Sequence, residues 1–202
     1  QTPKTAKTPK KTTDRTSKKG KAKTTKDNKH NGANAIKCTD EYVYFYSDKS
    51  PFSNWNITPH IKYKGLEFSN SEALFMYLKA VVFRDDEMAK LIIPLNPRGA
   101  KACGRLVRNY SESIWEKERE NAMYIALKAK FDASQDFRGA LLADEYRGKT
   151  FVEASPSDDI WGIKRSVEDA YNGASCRGLN LLGKLLTELR DEKLGLREPI
   201  ER

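Results

Sequence analysis

From residue 1 to about 37 the chain mixes Lys and Thr with Pro, Ser, Gly and Asn and holds almost nothing large and apolar. Such a segment buries too little surface to offset its ordering entropy, so residues 1–40 read as a disordered basic tail. Apolar patterning begins at Glu41. Residues 41–46 are a β-branched and aromatic run, hence a strand, and 47–56 a Ser/Pro/Asn loop. Residues 61–68 form a second extended segment with a turn at Lys64-Gly65. Residues 69–83 are apolar around nearly the whole circumference, as in a buried helix, and Ser69 with Glu72 fits a capping box at its start. Further helices are expected over 85–92, 99–107, 111–131, 137–142 and 179–190, with Pro94 and Pro97 stopping the first of them. Thr150–Glu153 returns as a strand, and 155–162 is loop. A small number of short strands among many helices predicts an α+β fold. It is expected as one compact, helix-rich domain over 41–194, followed by a short C-terminal tail at 195–202.

Charge sharpens this division. Of 37 Lys and Arg, twelve lie between Gln1 and Lys37 against two Asp, which leaves 25 basic and 26 acidic residues for the rest. The positive charge therefore belongs to the tail, whose run from Lys18 to Lys23 fits contact with nucleic acid, a nuclear address or simple solubilisation. Three scattered cysteines (Cys38, Cys103 and Cys176) form no CxxC pair, which argues against a disulfide framework and for a reducing compartment. With only two histidines and no cluster of ligand spacing, no metal site is expected, and no cofactor is implied. No apolar stretch reaches the roughly 20 residues that span a bilayer. An intracellular protein, cytoplasmic or nuclear, without a membrane partner is expected.

Two ionisable residues interrupt the apolar helix, Glu72 and Lys79. Seven apart, they share one helix face, and burying either charge alone is unfavourable, so they should meet a polar cavity or each other. Helix capping and a solvent-reaching stem are the ordinary explanations. A second feature runs from Glu153, the carboxylate ending a strand, through a Pro-containing loop to Asp158, Trp161 and Gly162. Loops at strand ends often bear functional side chains, although Asp158 also suits a turn and Trp161 a core. Trp115, early in the long helix, is by default a packing residue.

Taken together these elements resemble the NADAR (YbiA-like) family. The resemblance rests on Tyr44-Phe45-Tyr46-Ser47, on Ser50-Pro51-Phe52-Ser53-Asn54-Trp55, and on Ser71-Glu72 with Lys79-Ala80. It continues through Pro97 with Lys101 and Gly104-Arg105, Trp115, Lys130-Phe131, and Val152-Glu153 with Asp158 and Trp161-Gly162. It ends on Gly178-Leu179-Asn180 with Gly183 and Arg190, so it covers nearly all of the ordered chain. The resemblance implies an N-glycosidase fold and activity. It implies Glu72, Lys79 and Asp158 as catalytic, with Ser53, Asn54, Arg105, Trp115, Trp161, Gly162 and Asn180 binding substrate. Hydrolysis of an N-riboside needs a proton for the leaving nitrogen and charge stabilisation at the sugar carbon. Carboxylates supply both; a desolvated lysine can instead attack that carbon, and tryptophans offer flat faces to a base. Three positions depart from the family pattern: Ala73 where His is common, Lys164 where Gly is common, and Cys176 where Trp is common. Lys164 would add a cation near the loop, favouring a phosphate-rich substrate.

The implied substrates are ADP-ribose or ribose-phosphate N-glycosides. ADP-ribose on guanine in nucleic acid gives the basic tail a use, through attraction to the phosphate backbone. Ribosylamino-pyrimidine phosphates of riboflavin synthesis give it none. A module that binds ADP-ribose or nucleotides without turnover is the alternative of another class.

Overall fold

The computed structural model describes residues 35–199, so the expectations for residues 1–34 lie outside the described residues. Strand β1 (Ala35–Cys38) pairs antiparallel with β2 (Tyr42–Tyr46), which pairs in parallel with β5 (Thr150–Glu153). Strand β1 thus lies upstream of the expected start at Glu41. Strand β1 is only four residues long and shows no alternation in sequence, yet its Ile36 packs on the core.

In the parallel pair Tyr42 stands opposite Thr150 and Phe45 opposite Glu153. Parallel strands need a crossover, and here it spans residues 47–149. The crossover carries a hairpin, β3 (Ile57–Tyr63) and β4 (Leu66–Asn70), turned by Lys64 and Gly65 at φ of 46° and 79°. Two consecutive positive φ values match the strand twist of a tight hairpin. It also carries helices α1 (Ser71–Val82), α2 (Asp86–Ile92), α3 (Pro97–Gly104), α4 (Glu112–Ala133) and α5 (Gln135–Leu141). After β5 come α6 (Val167–Tyr171), which the pattern did not predict, and α7 (Leu181–Lys193). The fold is α+β and helix-rich, as expected. No helix among the described residues is long and apolar enough to cross a membrane.

The start of α1 differs from the capping box expected at Ser69. Asn70 is the cap: its Oδ1 accepts the Ala73 N–H at 2.8 Å, while its Nδ2 donates to the Leu95 carbonyl at 3.0 Å. An Asn side chain satisfies the orphan donor as well as Ser does, and this shift leaves Glu72 free of capping duty. Likewise Asn96 caps α3 and puts Pro97 at its first position, where the missing N–H is harmless.

Helix α1 runs through the core, with Leu74, Phe75 and Leu78 buried in one cluster with Ala126 and Leu127 of α4 and leucines of α7. Burying each such side chain contributes roughly 1.5–3 kcal/mol. Helix α7 lies directly on β5: a Cβ at Gly183 would come within 2.1 Å of the Phe151 carbonyl oxygen. Arg190 of α7, almost fully buried, donates to the Tyr146 carbonyl at 2.7 Å and to that of Lys149, fixing the chain as it enters β5. Because β2 and β5 are parallel, the loops that follow them leave the sheet at the same end. That end is where open sheets with parallel strands commonly bind ligands.

Candidate active site

At the carboxyl ends of β2 and β5 lies a cavity of about 210 Å³. Helix α1 contributes Glu72, Phe75, Met76 and Lys79, whose spacing of three, four and seven puts them on one face. The expected pair on the apolar helix thus does share a polar cavity. The loop after β2 adds Ser53, Asn54 and Trp55, the loop after β5 adds Asp158 and Trp161, and α4 adds Trp115. A second cavity, about 840 Å³, adjoins the first and shares Ser53, Trp55, Lys101, Arg105, Glu153, Asp158 and Ile160 with it.

Buried polar contacts hold the first loop. The fully buried Lys130 reaches out of α4 and donates to the carbonyls of Pro51 and Ser53 at 2.7 and 2.8 Å. Its ammonium lies 4.6 Å from the centre of the Phe137 ring, and burial pushes its pKa down to about 7. Asn54 ties the loop to α1: its Oδ1 accepts from Ser71 Oγ at 3.0 Å and its carbonyl from the Glu72 N–H at 3.2 Å. Ser53 Oγ accepts the Trp55 N–H at 3.1 Å. Ser53 and Asn54 therefore shape the loop as well as line the cavity.

The second loop is built by Asp158, whose Oδ1 accepts the N–H groups of Ile160 and Trp161 at 3.0 and 2.8 Å. That turn spends one carboxylate oxygen and aims Trp161 at Phe75, 5.1 Å between ring centres and nearly perpendicular. Trp115 closes on the same ring at 5.4 Å. The Lys79 ammonium sits over Tyr110 and Trp115, at 4.2 and 5.6 Å from their ring centres. Aromatic faces favour the charged amine, while burial pulls its pKa below the usual lysine value.

Burial raises the pKa of two carboxyls in the wall. Burial lifts Glu72 to about 7; Asp158 adds to the rise, and Lys101 and Arg105 oppose it. Burial lifts Glu153 to about 8, with Asp158 and Glu72 adding and Lys101 opposing. Glu153 Oε2 is buried without a hydrogen-bond partner. Among the described residues no group of three or more His, Cys, Asp or Glu is placed to hold a metal ion.

The sequence profile of the NADAR domain matches residues 40–194. The chain belongs to the NADAR domain family. An N-glycosidase of Acanthamoeba polyphaga mimivirus is 36% identical over 167 residues, covering 76% of this chain and 97% of that one. The chloroplastic riboflavin biosynthesis protein PYRR of Arabidopsis thaliana is 32% identical over 173 residues, which cover 76% of this chain and only 27% of that protein. The solution structure of Escherichia coli YbiA superposes with a TM-score of 0.62 at 29% identity, covering 83% of this chain and 94% of that one.

Within this NADAR domain, eight of the ten residues singled out in the sequence line the small cavity: Glu72, Lys79, Asp158, Ser53, Asn54, Arg105, Trp115 and Trp161. Gly162 and Asn180 line neither cavity. Asn180, in the left-handed region at φ 55°, accepts the Glu153 N–H with Oδ1 at 3.0 Å and donates Nδ2 to the Phe151 carbonyl at 3.0 Å. A Cβ at Gly162 would stand 2.8 Å from the Glu153 carbonyl oxygen and 3.1 Å from that of Asp158. Both positions secure the end of β5 that bears Glu153. Lys164, expected as a phosphate-attracting cation, is paired with Asp159 at 2.8 Å. It sits at φ 53°, a backbone setting that suits the glycine common there in the family.

Glu153 and Lys101 line both cavities but were not singled out as site residues. Lys101 could have been found, since it shares a face of α3 with Arg105. Glu153 was noted as the carboxylate that ends a strand, but its place in the cavity is decided by the pairing of β2 with β5 across a hundred residues.

Proposed function

We propose that the chain is an N-glycosidase that hydrolyses the bond between a ribose carbon and a base nitrogen, with ADP-ribose on guanine in nucleic acid as its substrate. The observation that carries this reading is the meeting of Glu72, Lys79 and Asp158 in one cavity walled by Trp115 and Trp161. The name of the mimivirus relative, an N-glycosidase, supports the reaction class.

In this mechanism the ribose lies between the carboxyl groups and Lys79, with the base against the aromatic rings. Glu72, protonated up to about pH 7, gives its proton to the leaving nitrogen. The Lys79 amine bonds to the sugar carbon as the carbon–nitrogen bond breaks, and its shed proton returns to the Glu72 carboxylate. The oxygen of Asp158 not used by the turn faces the positive charge that develops on the sugar. Ring opening gives a Schiff base. Water adds to the imine carbon and lysine departs, so water's oxygen and one hydrogen end on the sugar and its other hydrogen on the base.

The eleven basic residues before Ala35 supply attraction to a nucleic-acid backbone, which favours the guanine adduct. The second reading, hydrolysis of a ribosylamino-pyrimidine phosphate, is favoured by the name of the Arabidopsis relative. A module that only binds nucleotides has no use for two buried acids of raised pKa in the wall that also carries a lysine.

One incubation separates the three: purified protein with an ADP-ribosylated guanine oligonucleotide, following released ADP-ribose, and, separately, with ribosylamino-pyrimidine phosphate, following released base. The proposal expects release of ADP-ribose from the oligonucleotide. Turnover of the pyrimidine alone moves the assignment to the second reading, and binding without turnover of either removes the enzyme.

A further inference from the structure

Between Gly104-Arg105 and Trp115 the chain carries none of the residues on which the family resemblance rests. That stretch nevertheless meets Lys79. Arg108 pins it to the N-cap of α2, its backbone N–H donating to Asp85 Oδ2 at 2.8 Å and its guanidinium Nε to Oδ1 at 3.1 Å. Asn109 then takes the left-handed backbone at φ 58°, a setting that Asn tolerates better than most residues, and the chain turns to Tyr110.

Tyr110 lines neither cavity and is 43% exposed, so core packing alone does not account for a ring held there. The ring packs on Phe83 at the end of α1, 5.2 Å between centres, and its hydroxyl donates to Glu112 Oε2 at 2.5 Å. Burial, and then the Glu112 carboxylate, push that hydroxyl up to about 12, so it stays a donor. Glu112 is held in turn by Arg119, 3.9 Å away. Glu112, Trp115 and Arg119 follow at spacings of three and four, so one face of α4 carries the anchor of Tyr110 beside Trp115. The Lys79 ammonium lies over both rings, nearer to Tyr110 at 4.2 Å than to Trp115 at 5.6 Å.

We propose that Tyr110, held by Glu112, is a positioning residue for the Lys79 amine. It rests on the reading that this amine bonds to the sugar carbon. Lysine has a long flexible stem, and an ammonium seated on a ring face gives up much of that freedom before substrate arrives. The seat favours the charged amine, whereas attack needs the neutral one. Glu112 pulls in the same direction as the ring, against burial. The other charges on the cavity wall are Glu72 of α1, Glu153 and Asp158 at the end of β5 and beyond it, and Lys101 and Arg105 from α3 and its C-terminal residue. A change at Tyr110 leaves all five in place.

Proton–carbon correlation spectra of the full chain with isotope-labelled lysine test the seat without turnover, the Lys79 signal being identified by its loss in Lys79→Arg. The ring face should shift the Lys79 Cε protons upfield; Tyr110→Leu should remove that shift and Tyr110→Phe restore it. Followed against pH, the Lys79 amine should lose its proton at lower pH in Tyr110→Leu and in Glu112→Gln than in wild type. With the N-riboside that wild type cleaves, kcat of Tyr110→Leu should fall roughly tenfold, the worth of one cation–ring contact, while KM holds. An unmoved Lys79 signal in Tyr110→Leu, an unmoved kcat, or a Tyr110→Phe as impaired as Tyr110→Leu overturns the proposal. Wild type that shows the upfield signal yet traps no sugar adduct with borohydride keeps the seat and removes the nucleophile.

Discussion

Glu72 and Lys79 stood out as the two ionisable side chains of an almost wholly apolar helix, where capping, a solvent-reaching stem or a shared cavity were all open, and both line one cavity. Asp158 was half legible: it forms the turn and also lines the cavity. If Lys79 is the nucleophile, borohydride added during turnover should trap a sugar adduct that peptide mapping locates at Lys79. A fully active enzyme with no adduct would indicate direct attack by water, with Lys79 an electrostatic partner. The two raised carboxyls also link stability to pH. Each has a folded pKa above its ordinary 4.5, so the stability it lends is complete below about 4.5 and is lost as pH rises to about 7 for Glu72 and about 8 for Glu153. Glu153→Gln should therefore melt higher than wild type at pH 8, with the two curves converging near pH 4.5. Each tenfold difference in proton affinity between the folded and unfolded chain is worth ~1.4 kcal/mol, which bounds the gain. Equal melting at both pH values would show that Glu153 is not a buried acid.

At the scale of elements, helix existence followed from apolar periodicity, while boundaries followed from caps the pattern ranked wrongly. Asn70 displaced Ser69, and Asn96 brought α3 forward to Pro97. The short β1 and α6 carry too few residues for any period to register. Lys130 illustrates what a sequence hides, since its partners are carbonyls nearly eighty residues away. Lys130→Met keeps the stem's packing but leaves the Pro51 and Ser53 carbonyls without their donor. It should lower stability by about 1–3 kcal/mol in denaturant unfolding. Because the loop it holds carries Ser53, Asn54 and Trp55, KM should rise as well. Unchanged KM with reduced stability would show that the loop keeps its shape without this anchor.

Over the whole molecule, fold class was readable from the balance of helix and strand, but the location of the site was not. It depends on β2 and β5 lying parallel across a hundred-residue crossover, which sets their two following loops side by side. Charge divides the chain in another way, with the described domain nearly neutral and the positive excess ahead of it. Deleting residues 1–34 should leave turnover of a small glycoside unchanged and flatten the salt dependence of nucleic-acid binding, read by titration across ionic strengths. Loss of small-glycoside turnover would make the segment part of the site. The central claim is that an N-glycosidic bond is cut in the small cavity, with Glu72 delivering the proton. Cleavage of the N-glycosidic bond by Glu72→Gln under conditions where wild type turns over tests it most directly, with circular dichroism checking the fold. The account predicts a folded protein whose kcat falls on the order of 100-fold or more. A folded Glu72→Gln variant that cuts the bond at the wild-type rate would contradict it.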